Sequence, residues 1–472
     1  MNKKPNILFI LLDDYGWTDT GCYGSSFYET PRIDALALEG ARFTDAYASC
    51  PVCSPTRASI LTGKYPARLG LTQWIGGHSE GKLADVPYID HLSTDEISLA
   101  KALKQGGYKT WHVGKWHLSK HNEERFDTYP DKHGFDVNIG GCHFGHPFNG
   151  YFSPYGIETL EDGPEGEYLT DRLTDEAIKL IKGSKNDDKP WFMYLSHYAV
   201  HTPIECHEEL VEKYRKKARM LGLDKINPFV EGDYFPCEHK KDEKILRRTI
   251  QSNPIYAAMV ENLDTNIGRV LDCLKAEGLE NDTIVIFYSD NGGLATAEGS
   301  PTTNKPLCEG KGWMYEGGTR EPLIIRWPGH IAPNTMIETP VTSTDFYPTL
   351  LEAAGLPLMP EQHMDGVSIL PLLEHSTQDG LDDRPIFWHY PHYSNQGCTP
   401  GCSVRKGHWK LIEFFEDEKL ELYDIYNDVG ETKDVSAEHP DIVQELKSLL
   451  DQWKIDVKAR IPEPNPNYKP RS

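Results

Sequence analysis

Short stretches of this chain carry residue types that can do chemistry: Asp13-Asp14, Cys53-Ser54-Pro55-Thr56-Arg57, Lys115-Trp116-His117, His201, Asp290-Asn291 and Lys311. Asp13, Asp14, Asp290 and Asn291 offer only oxygen donors, a set that suits a hard cation such as Ca²⁺ or Mg²⁺ rather than zinc. Two adjacent carboxylates after an apolar run repel each other and are costly to bury, so a cation between them is the natural resolution. Cys53 stands four residues ahead of Arg57 with Pro55 between, which fixes a thiol on a stiff turn beside a cation that cannot lose its charge. Cys50 and Cys53 also spell Cys-x-x-Cys. A zinc site needs a second pair at short spacing, which the chain lacks, and a redox pair of this kind follows the first strand of a small domain. His117 and His201 suit proton transfer near neutral pH, because an unperturbed imidazole titrates at about 6.5. Taken singly, Lys115 and Lys311 are solvated charges and the histidines are structural; their joint occurrence after apolar runs carries the chemical reading.

The segment Pro51 to Gly63 resembles the Cys-x-Pro-x-Arg signature of the sulfatase family. Gly114-Lys115-Trp116-His117-Leu118 is similar to the second signature of that family, with Ser119 where the family usually has Gly. His201 stands before Thr202-Pro203, as the family's site histidine does, and Gly310-Lys311 precedes Tyr315-Glu316-Gly317-Gly318 in family order. The resemblance extends from residue 6 to about residue 370 and is looser beyond. It implies a type I, arylsulfatase-like member of the alkaline phosphatase superfamily that hydrolyses sulfate monoesters. Cys53 would be oxidised to 3-oxoalanine (formylglycine) by a formylglycine-generating or anaerobic sulfatase-maturing enzyme. One Ca²⁺, with Mg²⁺ also compatible with the residue types, would be held by Asp13, Asp14, residue 53, Asp290 and Asn291. Related phosphatases and mutases carry His after the aspartate and bind two transition metals, whereas the amide of Asn291 points to one hard ion. The hydrate of residue 53 would attack sulfur, with Arg57 holding the diol. Lys115 and Lys311 would contact sulfate oxygens, His201 would protonate the leaving oxygen, and His117 would take the proton that lets sulfate depart. The expected substrate is a sulfated carbohydrate or an aryl or steroid sulfate. The alternatives are a phosphonate monoester or phosphodiester hydrolase and a non-catalytic binder of sulfated ligands.

The elements that must position these groups follow from apolar patterning. Asn6 to Leu12 is a nearly continuous apolar run, as expected of a strand buried on both faces of a parallel sheet. Similar runs lie at Tyr108–Val113, Pro190–Ser196 and Thr283–Tyr288, each just ahead of a candidate residue, and ligands in open α/β sheets gather at the carboxyl ends of strands. Helices are predicted from Pro31 to Gly40, from Asp95 to Gly106, over Asp171–Gly183, over Tyr256–Ala276 and over Asp345–Ala354. Phe126–Gly166 reads as long loops over the site mouth, and the charge-dense Glu205–Arg248 as a solvated insertion. His197 reads as a satisfied core histidine. Trp74, Phe144, Phe148, Tyr151 and the aromatic segment 388–393 are expected to ring the pocket. The fold expected is α/β, a large, mostly parallel sheet sandwiched by helices over residues 1–380, which the family resemblance implies is alkaline-phosphatase-like. A smaller α+β domain follows over 381–472, with an antiparallel sheet from Pro385–Tyr390, His408–Phe415 and Glu421–Tyr426 and a helix over Pro440–Ile455.

Acidic residues number 72 against 49 lysines and arginines, a net charge of −23, which disfavours nucleic acid and anionic membranes as partners. An anionic substrate then requires local cations. Ten cysteines over 472 residues are too sparse for a disulfide scaffold, although Cys398 and Cys402 are close enough in sequence for a local bridge. The apolar run Ile7–Leu12 is too short for a signal sequence or a membrane span. As the sequence stands a cytoplasmic location is expected, or a periplasmic or secreted one if a signal has been removed.

Overall fold

A computed structural model describes residues 4–470 except 186, 376 and 378, so the first residues of the basic amino terminus lie outside it. The strands are β1 (Asn6–Leu12), β2 (Ala41–Tyr47), β3 (Lys109–Gly114), β4 (Val137–Ile139), β5 (Trp191–Ser196), β6 (Phe229–Tyr234), β7 (Lys244–Arg248), β8 (Thr283–Ser289), β9 (Arg320–Arg326), β10 (Thr335–Ile337), β11 (Val341–Thr342), β12 (Ile386–Tyr390), β13 (Gly401–Lys406), β14 (Trp409–Phe414) and β15 (Leu420–Asp424). The large sheet has the order β10-β2-β9-β8-β1-β5-β3-β4, with β11 also on β2. Its pairings are parallel except those of β9 with β2 and β8, so β9 alone runs against the rest.

β1 is central, and all seven of its residues are buried. Successive side chains point to opposite faces. Leu8, Ile10 and Leu12 join one core with the helices Pro31–Glu39, Leu169–Gly183 and Pro254–Ala276. Ile7, Phe9 and Leu11 join the other, with the helices Cys53–Thr62, Leu99–Gln105 and Phe346–Ala353. Each fully buried Ile or Leu contributes roughly 2 kcal/mol of transfer free energy. The helix–sheet–helix sandwich expected from the run at Asn6–Leu12 is what forms.

The boundaries differ where caps decide them. The helix expected from Asp95 begins at Leu99, because the Ser98 side chain accepts from Lys101 N. The long helix begins at Pro254, where Asn253 caps Ile255 and Tyr256. Glu205–Arg248 is more than a solvated insertion: Val211, Tyr214 and Ala218 bury one stripe of the helix Glu208–Met220, and β6 and β7 form an antiparallel hairpin. The stripe is narrow enough to vanish among the charges in sequence.

Beyond Arg384 the chain forms a second sheet, β12-β13-β14-β15, antiparallel throughout. It has four strands where three are expected, since β13 carries no clear strand signature. The helix Pro440–Asp456 packs Leu446, Leu450 and Trp453 into it. This sheet backs the cysteine loop: Trp388 Nε1 donates to Ala48 O at 2.7 Å, and Cys50 and Val52 share a core with Trp388 and Tyr390. All ten cysteines are free, Cys398 and Cys402 included. No helix among the described residues is long and apolar enough to cross a membrane.

Candidate active site

Because β1, β3, β5 and β8 are parallel, the segments leaving them emerge on one edge of the sheet and deliver Asp13-Asp14, Lys115, His201 and Asp290-Asn291 to the same place. Backbone hydrogen bonds tie these ends together: Asp13 N to Ala199 O, Lys115 N to Ser196 O and Asp290 N to Leu12 O, at 3.1, 2.7 and 3.1 Å. A Cβ on Gly114 would lie 1.9 Å from Ser196 O, so only glycine lets the chain turn there ahead of Lys115. Gly292 is equally constrained, with Gly317 O at 1.8 Å from its would-be Cβ, and this contact brings the Lys311 loop against the Asn291 loop.

Cys53 opens the helix Cys53–Thr62, every residue of which is buried. Thr56 Oγ1 donates to Cys50 O, and Ile75 N donates to Ser54 Oγ, which fixes the signature and pulls the Trp74-Ile75 loop over the thiol. One helical turn on, the Arg57 guanidinium reaches the sheet edge. Nε donates to Asp290 Oδ2 at 2.7 Å, and Nη1 reaches Ser196 Oγ at 2.6 Å and Lys115 O at 3.2 Å. Lys115 Nζ lies 2.6 Å from Asp13 Oδ2, and Lys311 Nζ lies 2.8 Å from Asp14 Oδ2 and 3.1 Å from His201 Nε2. Three carboxylates (Asp13, Asp14, Asp290) therefore face three cations (Arg57, Lys115, Lys311), all six of them buried.

The electrostatics follow from burial and these neighbours. Burial pushes Asp290 up to about 6, with Asp13 adding to the shift and Arg57 opposing it. For Asp14 the cost of burial is outweighed by Lys311, His201 and Lys115 together, which hold the carboxylate well below its ordinary range. Burial, with Lys311 adding, depresses His201 to about 3, and burial with Lys115 and Arg57 depresses His117 well below its usual value. The Cys53 thiol is pushed up to about 12 by burial, so it stays protonated and is a poor nucleophile as it stands.

The oxygen set fits a hard cation. Asp13 Oδ1 and Asn291 Oδ1 are buried oxygens without a hydrogen-bond partner, the former with Arg57 Nη2 at 3.7 Å, and such atoms are costly unless a ligand or cation meets them closely. Ligand atoms of Asp13, Cys53 and Asp290 lie within 4.8 Å of one another, as do those of Asp14, Cys53 and His201. The structure thus brings together the candidate catalytic and metal-holding residues: Asp13, Asp14, Cys53, Arg57, Lys115, His117, His201, Asp290, Asn291 and Lys311. Ser119, at the departure from the family pattern, is buried and donates to Thr128 O at 2.8 Å. His197 is buried, but neither ring nitrogen has a hydrogen-bond partner, so it is not the satisfied core histidine expected. Burial holds it neutral, at about 4.

Above this floor opens a cavity of about 260 Å³. Of the expected aromatic ring only Trp74 and Phe148 line it. Phe144 packs edge-on against Phe148, and Tyr151 lies beneath, its hydroxyl 2.8 Å from the carbonyl oxygens of Tyr198 and His201. Trp388, His389, Tyr390, His392 and Tyr393 are buried packing residues. The wall instead includes His121, His146, Glu298, Asn395 and Gln396, which sequence reasoning missed. The near-parallel stacking of His146 on His201, 5.8 Å between centroids, was invisible because the two come from separate loops.

Comparison with known proteins agrees with this geometry. Residues 5–356 match the family model for sulfatases, and residues 309–456 match the model for the C-terminal region of N-sulphoglucosamine sulphohydrolase. The chain is 34% identical to a sulfatase of Formosa agariphila, over 96% of this chain and 89% of that protein. It is 32% identical to the N-acetylgalactosamine-6-sulfatase of Sus scrofa, over 82% of this chain and 69% of that one. The crystal structure of Ps i-CgsB in complex with k-i-k-neocarrahexaose superimposes with a TM-score of 0.75 at 27% identity, covering 99% of this chain and 95% of that one. A match of this extent, on a sheet whose strand ends gather the signature residues, places the chain in the sulfatase family of sulfuric ester hydrolases.

Proposed function

We propose that the protein hydrolyses the sulfate ester of a carbohydrate, using an oxidised residue 53 and one divalent ion. The observation that carries this reading is the convergence of Cys53, Asp13, Asp14, Asp290, Asn291 and three buried cations at the floor of one small cavity. The relatives support the substrate class: one is named for sulfated N-acetylgalactosamine, and a structural neighbour was crystallised with a neocarrahexaose. A wall of Trp74, His121, His146 and Phe148 offers flat faces to a sugar ring.

Asp13, Asp14, Asp290 and Asn291 would hold the ion, Ca²⁺ by family resemblance. Bound there, it supplies positive charge that favours a deprotonated oxygen nucleophile and an anionic substrate. The chain's own groups do the rest. Lys115 and Lys311 hold sulfate oxygens, and Arg57 orients residue 53 from its anchorage on Asp290. An arriving sulfate brings negative charge beside His201 and His117 and moves both imidazoles back towards their ordinary range. His201 then carries the proton for the leaving alcohol oxygen. His117 takes the proton released from residue 53 as inorganic sulfate departs. Oxidation of Cys53 requires a maturing enzyme as partner.

A second reading, hydrolysis of phosphonate monoesters or phosphodiesters, uses the same floor. Purified protein assayed with an aryl sulfate, an aryl phosphonate and a panel of sulfated monosaccharides separates the two. We expect sulfate release, fastest from a sugar. Phosphonate turnover far above sulfate turnover reverses the assignment, and binding without turnover by protein converted at residue 53 leaves only a sulfated-ligand binder.

A further inference from the structure

The floor takes the sulfate end of a substrate, and the wall above it decides which alcohol may carry that sulfate. Glu298 is the only acidic residue lining the cavity among the described residues. Its carboxylate is held in place: Oε1 accepts from Gln396 Nε2 at 3.0 Å, and Oε2 accepts from Thr202 Oγ1 at 3.4 Å. Both holders are themselves fixed. Thr202 follows His201, whose Nδ1 lies 2.9 Å from Thr202 O. The Gln396 segment is tied down by Ser394 Oγ, which accepts from Gln396 N at 3.0 Å, and by Trp313 Nε1, which donates to Gln396 O at 3.1 Å. Glu298 adopts φ +52°, a left-handed conformation that a residue with a side chain keeps only when its surroundings impose it. It forms no ion pair among the described residues. A carboxylate offers about four acceptor sites, and the two donors named here leave room for a ligand's donors.

The cavity is therefore polarised, with cations at the floor and one fixed anion on the wall. We propose that Glu298 selects the substrate: a monosulfated sugar whose hydroxyls beside the ester donate to its carboxylate, with no second anion on that side. The inference rests on the sulfatase reading and refines it. A hexuronic acid or a second sulfate directed at the exposed Glu298 carboxylate would set like charges against each other. An aryl alcohol would cover the carboxylate without giving it a donor, which leaves a desolvated charge unpaired.

The test compares wild type with Glu298→Gln and Glu298→Ala on three substrates: a neutral monosulfated hexose, a sulfated hexuronic acid and 4-nitrophenyl sulfate. Hydrogen bonds to a charged group correspond to roughly ten- to hundredfold in kcat/KM. The ratio of kcat/KM for the hexose over the aryl sulfate should fall by that factor in both variants, and the ratio of uronic acid over hexose should rise. Gln396→Ala, which releases the carboxylate, should move both ratios in the same direction. Ratios within twofold of wild type, or an equal loss on all three substrates, overturn the proposal. Calorimetry with Cys53→Ser protein repeats the comparison without turnover: a tenfold weaker hexose Kd with Glu298→Gln supports the role, and equal Kd values overturn it. Wild-type protein converted at residue 53 that releases no sulfate from any ester overturns the sulfatase reading instead, while the calorimetric comparison still decides Glu298.

Discussion

Replacing Arg57 by alanine is the sharpest perturbation of the buried charge cluster. The guanidinium is 1% exposed, and Nε and Nη2 both stand 2.7 Å from Asp290 Oδ2. Removing it strands a carboxylate that burial already pushes up to about 6 with Arg57 present. Breaking one side of a buried pair costs about 3–5 kcal/mol, most of it the uncompensated charge rather than the lost contact. In an Asp290→Asn background that charge is gone, and the same substitution should cost the hydrogen bonds to Ser196 and Lys115 together with the longer contact of Nη2 with Asp13 Oδ1 at 3.7 Å, about 1–2 kcal/mol in all. The coupling in the double-mutant cycle is then about 2–3 kcal/mol. Urea unfolding of the four proteins in the presence of a chelator measures it. If Arg57→Ala costs as much in the Asp290→Asn background as in the wild type, compensation of Asp290 is not what Arg57 does, and the charge balance drawn here fails.

Further outcomes follow from the same geometry. Calorimetric titration of chelator-treated protein with Ca²⁺ should show one ion per chain, and Asp13→Asn or Asp290→Asn should weaken it at least tenfold; absence of binding by the wild type would count against the oxygen cluster as its seat. Truncating Phe148 to alanine should raise KM for a sulfated sugar several-fold while kcat changes little, since its ring packs on Phe144 and His146 and not on the floor residues; a collapse of kcat alone would contradict its role as wall. Glu431 is buried, accepts from Glu316 N at 2.7 Å, and is raised by burial to about 8, with Lys410 opposing. A carboxyl with a raised folded-state pKa stabilises fully below its unfolded value of about 4.5 and loses that contribution as pH climbs towards 8. Glu431→Gln should therefore flatten the decline in unfolding midpoint between pH 5 and 8, and parallel declines in the two proteins would refute the sign.

The floor of the site was legible because its chemistry is local. Cys53 to Arg57 is one helical turn, Asp13-Asp14 and Asp290-Asn291 end apolar runs, and parallel strands deliver such ends to one edge. The wall was not legible, because His121, His146, Glu298 and Gln396 come from loops far apart in sequence without a period to mark them. Aromatic content misled for the same reason: Tyr390 looks like a pocket residue but spends its hydroxyl on Gln73 Oε1. β13, Gly401–Lys406, is hidden because glycine, cysteine and serine make a poor strand signature, and its pairing with β12 and β14 supplies what propensity does not. The orphaned nitrogens of His197 depend on packing from several elements and could not be read from neighbours in sequence.

The proposed chemistry turns on residue 53, and the most direct measurement pairs its oxidation state with turnover. Protein prepared with and without a maturing enzyme would be digested, the peptide spanning residues 53–57 weighed for replacement of the thiol by an aldehyde, and each preparation assayed for release of inorganic sulfate. Turnover should rise in proportion to the converted fraction and vanish in Cys53→Ala. Full activity in protein whose Cys53 remains a thiol would contradict it.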